Sequence, residues 1–136
     1  MMRPEKLVIP RAEWDKMAAH VSQEAPLEAC GILAGSGDRA QMTILVANAA
    51  QSPVRFRMET QEQWQAFVQI EEAGLEMLSV FHSHPNGPPV PSPTDVAEAA
   101  YPVVNVIWSP GRQGWQARGF WIEAGQVSEV TLLVEE

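Results

Sequence analysis

Cysteine is nearly absent: Cys30 is the only one in the chain. A lone thiol cannot form an internal disulfide, so no cross-linked framework holds this fold and a reducing compartment suits it. Positive charge is scarce too, with nine Lys and Arg against seventeen Asp and Glu, a net charge of −8. Such a surface is a poor match for phosphate backbones and anionic lipid, and a better one for a basic protein partner. No apolar run approaches the ~18 residues of a membrane span. No apolar stretch follows Met1-Met2-Arg3-Pro4-Glu5-Lys6, so no signal peptide is expected. Internal repeats, low-complexity tracts and linkers are also missing. These absences predict a soluble, cytoplasmic protein with no nucleic-acid or membrane partner. At 136 residues, one domain spanning 1–136 around one core is expected. The oligomeric state is left open, a homodimer included.

What is present is a rhythm of short elements. Leu7-Val8-Ile9 reads as a strand closed by Pro10. From Arg11 to Ala25, Trp14, Met17, Ala18, Val21 and Ala25 recur every three or four residues, one face of an amphipathic helix that Pro26 ends. Cys30–Ala34 and Met42–Ala47 read as strands joined by the turn Gly35-Ser36-Gly37-Asp38. Asn48–Pro53 is a loop, and Val54–Met58 alternates as an edge strand does. Thr60-Gln61-Glu62-Gln63 fits a capping box for a second helix running to Gly74. Leu75–Phe81 is a buried strand, and Pro93 to Tyr101 a third helix. Val103–Trp108, Trp115–Ile122 and a last strand with Val130, Leu132 and Val134 complete the chain. Helices interleaved among about seven strands predict an α/β (mixed α+β) fold, a mixed sheet flanked by helices.

The chemistry gathers after Phe81. His82 and His84 lie two apart, so on an extended backbone both rings leave one face, about 6–7 Å apart at the backbone. Five of the nine residues from Pro85 to Pro93 are proline, which makes the next connection stiff. Ser92-Pro93-Thr94-Asp95 then opens a helix with Pro93 at its first position. Two imidazoles and one carboxylate, fixed by a strand end and a helix start, form the ligand set of a catalytic zinc site whose fourth position is left to water. Asp95 has a second explanation, because Ser92-x-x-Asp95 is itself a capping box. Both jobs on one carboxylate conflict, so Ser92 is expected to be only partly a cap.

His82-x-His84, seven residues, Ser92, two residues and Asp95 resembles the signature of the JAMM (MPN+, Mov34/PAD-1) metalloprotease family. Glu28, followed by Cys30-Gly31-x-Leu33-x-Gly35, resembles that family's upstream segment. The resemblance implies a curved sheet with packed helices, the MPN/JAMM (cytidine-deaminase-like) architecture. It also implies one Zn2+ per chain, with a bound water, on His82, His84 and Asp95. Glu28 would be the general base, and Ser92 the hydroxyl that helps stabilise the oxyanion. The implied reaction is hydrolysis of an amide at the diglycine C-terminus of a ubiquitin-like, sulfur-carrier-type protein or its conjugate, as in small prokaryotic members.

Other readings compete. Many domains of this fold are non-catalytic interaction scaffolds. The RadC-like, nucleic-acid-associated branch shares His82-x-His84-Pro85-x-Gly87, though the acidic charge and the Glu28 segment stand against it. A cell-wall peptidase lacks support from any wall-binding segment. Glu24 is the fallback for Glu28. Cys30 reads as a small buried residue, His20 as solvated, and Ser83 as structural on the opposite face from the histidines. Trp108 and Trp115 flank a turn and are expected to border a substrate groove.

Overall fold

The computed structural model describes residues 3–136; Met1 and Met2, the start of the N-terminal stretch read above, lie outside the described residues. The elements run β1 (Lys6–Pro10), α1 (Arg11–Glu24), β2 (Cys30–Ser36), β3 (Arg39–Val46), α2 (Thr60–Glu72), β4 (Glu76–Ser83), α3 (Pro93–Glu98), β5 (Val104–Gly111), β6 (Gly114–Glu123) and β7 (Gln126–Glu135). The strands form one mixed sheet in the order β1-β3-β2-β4-β5-β6-β7. Its curvature goes far enough to close: β1 lies parallel to β7 from Lys6↔Thr131 to Pro10↔Glu135. The seam on the other side of β1 is thin, a single parallel register pair, Val8↔Arg39.

Strand alternation sends side chains to two cores. Leu33, Phe81 and Trp108 join Leu7, Ile9 and Val130 in a cluster against Met17 and Val21 of α1. Cys30, Ile32, Ala34 and Val46 face Ala66 and Ile70 of α2. The helical spacing of Trp14, Met17, Ala18 and Val21 is therefore the buried stripe of α1. Each of the two fully buried ones, Met17 and Val21, contributes about 1.5–3 kcal/mol. Because β2 is buried on both faces, it approaches β4 closely at Gly31. A Cβ there would sit 2.4 Å from the Phe81 ring and 2.5 Å from the Ile44 carbonyl, so only glycine fits.

Four local expectations are corrected. Val54–Met58 is no strand; a lone Asn48↔Met58 bridge is all the pairing it makes. Instead, Asn48 Oδ1 accepts from the Arg57 amide and Asn48 Nδ2 donates to the Arg55 carbonyl, taking the groups that a ladder needs. The cap of α2 is Glu59, whose carboxylate accepts from the Glu62 amide at 2.7 Å; Thr60 is already helical. α3 stops at Glu98 rather than Tyr101. It buries nothing, and Tyr101 precedes Pro102, which biases it to extended backbone. Its ring packs edge-on to Phe67, 6.1 Å away. Trp108, finally, is buried in the core, with its ring 4.7 Å from that of Trp14.

Candidate metal centre

β4 delivers the histidines. His82 pairs with Cys30 on one side and Ile107 on the other, so its backbone is held by two neighbouring strands. The His84 amide donates to the Trp108 carbonyl at 2.8 Å. Beyond it the chain turns, with the Gly87 amide returning to the His84 carbonyl at 2.8 Å and Gly87 at φ +68°, open to glycine without cost. That turn brings the Pro88 carbonyl to His84 Nδ1 at 2.7 Å. A ring nitrogen facing a carbonyl must donate, so Nε2 is the bare nitrogen of the neutral ring.

The proline bridge then carries Asp95 back to the rings. Asp95 Oδ2 lies 3.2 Å from His82 Nε2 and 3.0 Å from His84 Nε2, and the two Nε2 atoms are 3.1 Å apart. This is a nearly equilateral triangle of donor atoms. Ligands 2.0–2.1 Å from a tetrahedral ion are separated by about 3.3–3.4 Å, so the triangle is close to the face of such a site. The chemistry agrees with the distances, since a bare Nε2 facing a carboxylate oxygen is two acceptors in contact. A cation between them removes that repulsion, and the residues present fit one.

Asp95 is placed for both jobs that the sequence set against each other. Oδ2 also accepts from the Ser92 amide at 2.8 Å, while Ser92 Oγ accepts from the Asp95 amide at 3.0 Å. The capping box is complete, so Ser92 is a full cap rather than a partial one. Glu28 joins from the mouth of β2. Its carboxylate offers an oxygen within 4.8 Å of ligand nitrogens on both His82 and His84. It is 3% exposed, and Oε1 has no hydrogen-bond partner among the described residues. Two triples therefore share the histidines; Asp95 makes the tighter one. Glu24 closes α1 and is not among the carboxylates brought to the rings.

The family description "Prokaryotic homologs of the JAB domain" matches residues 10–123. The chain belongs to this family. It is 36% identical over 129 residues to a Thermus thermophilus protein named "Probable TtuB-protein conjugate cleaving protease", covering 94% of this chain and 82% of that one. It is 31% identical over 130 residues to the desampylase of Pyrococcus furiosus, covering 95% and 91%. A solution structure from Desulfitobacterium hafniense superposes with a TM-score of 0.86 at 32% identity, covering 96% of this chain and 93% of that one.

In this JAB-domain chain the centre's electrostatics follow from burial. Burial pushes the Glu28 carboxyl up to about 7, the His84 charge offsets part of this, and Asp95 adds to it. Burial also raises Asp95, but without a cation the histidines can hold a proton on Nε2, and hydrogen bonds with His82 and His84 then outweigh burial and hold that carboxyl well below the usual range. His82, with burial dominant, is pushed down. Burial lowers His84 as well, yet Asp95 and the Pro88 carbonyl outweigh it and leave the ring above its ordinary value.

Two contributors were not singled out by the sequence. Asn48 is 8% exposed and makes four hydrogen bonds, donating to the Glu28 and Arg55 carbonyls and accepting from the Ala50 and Arg57 amides. It ties the base of Glu28 to the loop that follows. That loop carries Phe56, stacked on His82 with ring centroids 4.4 Å apart. Asn48-x-x-x-Ser52-Pro53 signals a turn, but nothing local signals a tether. Ser83 is structural as expected: its Oγ accepts from the Ala29 amide at 2.8 Å, beside Glu28. His20 is half-buried rather than free in solvent; its Nε2 donates to the Cys30 carbonyl at 3.2 Å. Burial raises the Cys30 thiol to about 12, consistent with a packing role. Neither tryptophan of the expected groove lines the cavity beside His82 and Asp95; Trp115 lines a separate one at the β5–β6 turn.

Proposed function

We propose that this chain, acting as one domain over 1–136, is a zinc-dependent peptidase or isopeptidase. Its substrate is the amide at the diglycine C-terminus of a ubiquitin-like, sulfur-carrier-type protein or its conjugate. The observation that carries this is the buried, unpartnered Glu28 carboxyl facing a triangle of three metal-type donor atoms. A non-catalytic scaffold has no use for either feature. In this reading His82, His84 and Asp95 hold one Zn2+ per chain, with a water. When bound, zinc supplies a Lewis acid that polarises a carbonyl and acidifies water.

The remaining work belongs to the chain. Glu28 takes the proton of the attacking water and passes it to the departing amine. Burial raises that carboxyl above the ordinary glutamate range, which favours both accepting and releasing a proton. Ser92 Oγ is occupied as an acceptor by the Asp95 amide but keeps its own hydrogen, which is available to the oxyanion. Diglycine suits a narrow groove, because only residues without side chains let two backbones come so close. The kinship to a conjugate-cleaving protease supports this substrate class. The test is hydrolysis of a carrier protein joined through its diglycine end to an amine. Release that stops with a chelator, returns with zinc and is lost in Glu28→Gln is expected; no release from any diglycine amide would overturn the assignment.

A further inference from the structure

A cavity of about 240 Å3 opens beside the centre, with His82 and Asp95 in its wall. Ile32, Phe56, Met58, Met77, Val80 and Val103 make its lining mostly apolar. Arg55 and Arg57 also line it, and both are exposed. Their main chains are held by Asn48, but neither guanidinium is paired with a carboxylate among the described residues, where the arginine ion pairs are those of Arg11, Arg39 and Arg118. One further carboxylate, Glu98, lines the cavity. With Asp95 engaged by the histidines, two cations face one anion.

We propose that this cavity binds the leaving group, and that it selects an amine bearing an apolar side chain and a free α-carboxylate. The inference rests on the reading that the acyl side of the scissile bond is diglycine. Two glycines offer no side chain over the last ~7 Å of extended chain. A cavity walled by His82 and Asp95 lies at the bond itself, so the acyl side cannot fill it and the amine side must. Its volume is below the ~300 Å3 at which small-molecule sites begin, a size suited to one side chain. Met58 and Met77 adapt to the shape of what enters. The arginine forks match a carboxylate in two-pronged geometry. A lysine side chain would fill the apolar part with its methylenes but leave both arginines without an anion.

The test uses zinc-loaded protein and a ligand that cannot be cleaved: acyl-Gly-Gly joined to methionine, with a methyleneamine replacing the scissile amide. It is made as the free acid and as the carboxamide, and binding is measured by calorimetry. The acid is expected to bind about fivefold tighter, as two exposed ion pairs allow. That ratio collapses towards one in an Arg55→Gln/Arg57→Gln double variant. Equal binding of acid and amide, or a ratio that survives the double substitution, would sink the proposal. Because nothing is turned over, the two readings separate. Discrimination without any diglycine hydrolysis supports the cavity and removes the reaction. Hydrolysis without discrimination removes the cavity's role alone.

Discussion

Asp95 serves two structures with one oxygen, and two substitutions separate them. Ser92→Ala removes only the bond from the Asp95 amide to Ser92 Oγ. Asp95→Ala removes the reciprocal bond from the Ser92 amide, together with the atom 3.0 Å and 3.2 Å from the histidine nitrogens. Losing one cap bond costs about 1 kcal/mol, which for a chain of this length is roughly 3–5 °C in Tm. α3 buries no residue, so the damage stays local and the histidines keep their strand. Zinc affinity responds differently. Changes one shell further out commonly cost about 10–100-fold, and loss of a charged ligand itself costs more. Zinc per chain is measured after dialysis, beside thermal melts of the metal-free proteins. Ser92→Ala is expected to hold about one zinc and melt a few degrees low; Asp95→Ala is expected to hold none. Full zinc in Asp95→Ala, with loss in Glu28→Gln, would refute the assignment and make Glu28, His82 and His84 the ligand set.

Glu28→Gln should retain zinc while kcat falls about 10²–10⁴-fold, the usual worth of a positioned base, in a diglycine-amide assay. The base works deprotonated, so kcat/KM of the parent should fall as pH drops through an acid limb. A bound cation replaces the proton charge of His84 with a larger positive charge, so that limb lies below the value of about 7 set without it; an unchanged limb in the residual activity of Glu28→Gln would count against the role. In metal-free protein the sign reverses for stability. With its folded pKa raised above the unfolded 4.5, the Glu28 carboxyl holds its proton more tightly when folded. Parent stability relative to Glu28→Gln should therefore fall as pH rises from 4.5 towards 7, in chelator-treated melts. Asn48→Ala removes four hydrogen bonds at a buried position and should cost about 2–4 kcal/mol in urea unfolding, with a lower kcat as Glu28 loosens.

What the sequence made legible is what short spacings encode. His82 and His84 share a face because a strand has period two, and Ser92 caps the helix that Pro93 starts. The stripe of α1 follows the helical repeat. The misses at helix ends are local, by one to three residues; the others involve partners outside any short window. Nothing in Val54–Met58 says that Asn48 occupies its backbone groups or that Phe56 is wanted on His82. His20 looks polar and free until β2 brings the Cys30 carbonyl beneath it. Trp108 reads as a turn-flanking aromatic, yet Trp14, nearly a hundred positions earlier, covers it. Closure of the sheet is the extreme case, since β1 and β7 lie at opposite ends of the chain.

Glu28 shows why its flanking pattern nevertheless singled it out. A glutamate at a strand mouth has no distinctive local chemistry, and its approach to the histidines depends on how closely β2 can lie against β4. Gly31 sets that spacing, because any side chain there would strike Phe81. The register pairs Cys30 with His82, and Ser83 fixes the Ala29 amide one residue from the carboxyl. The Glu28 amide, in turn, donates to the Ser52 carbonyl in the Asn48-held loop. Glycine and the small Cys30 are thus the conditions for a strand contact that delivers the Glu28 carboxyl, while the histidines ride on the partner strand. Glu28 and both histidines are positioned by one strand pair, and α3 adds Asp95. That is the arrangement expected when rate comes from preorganised charge rather than from closure.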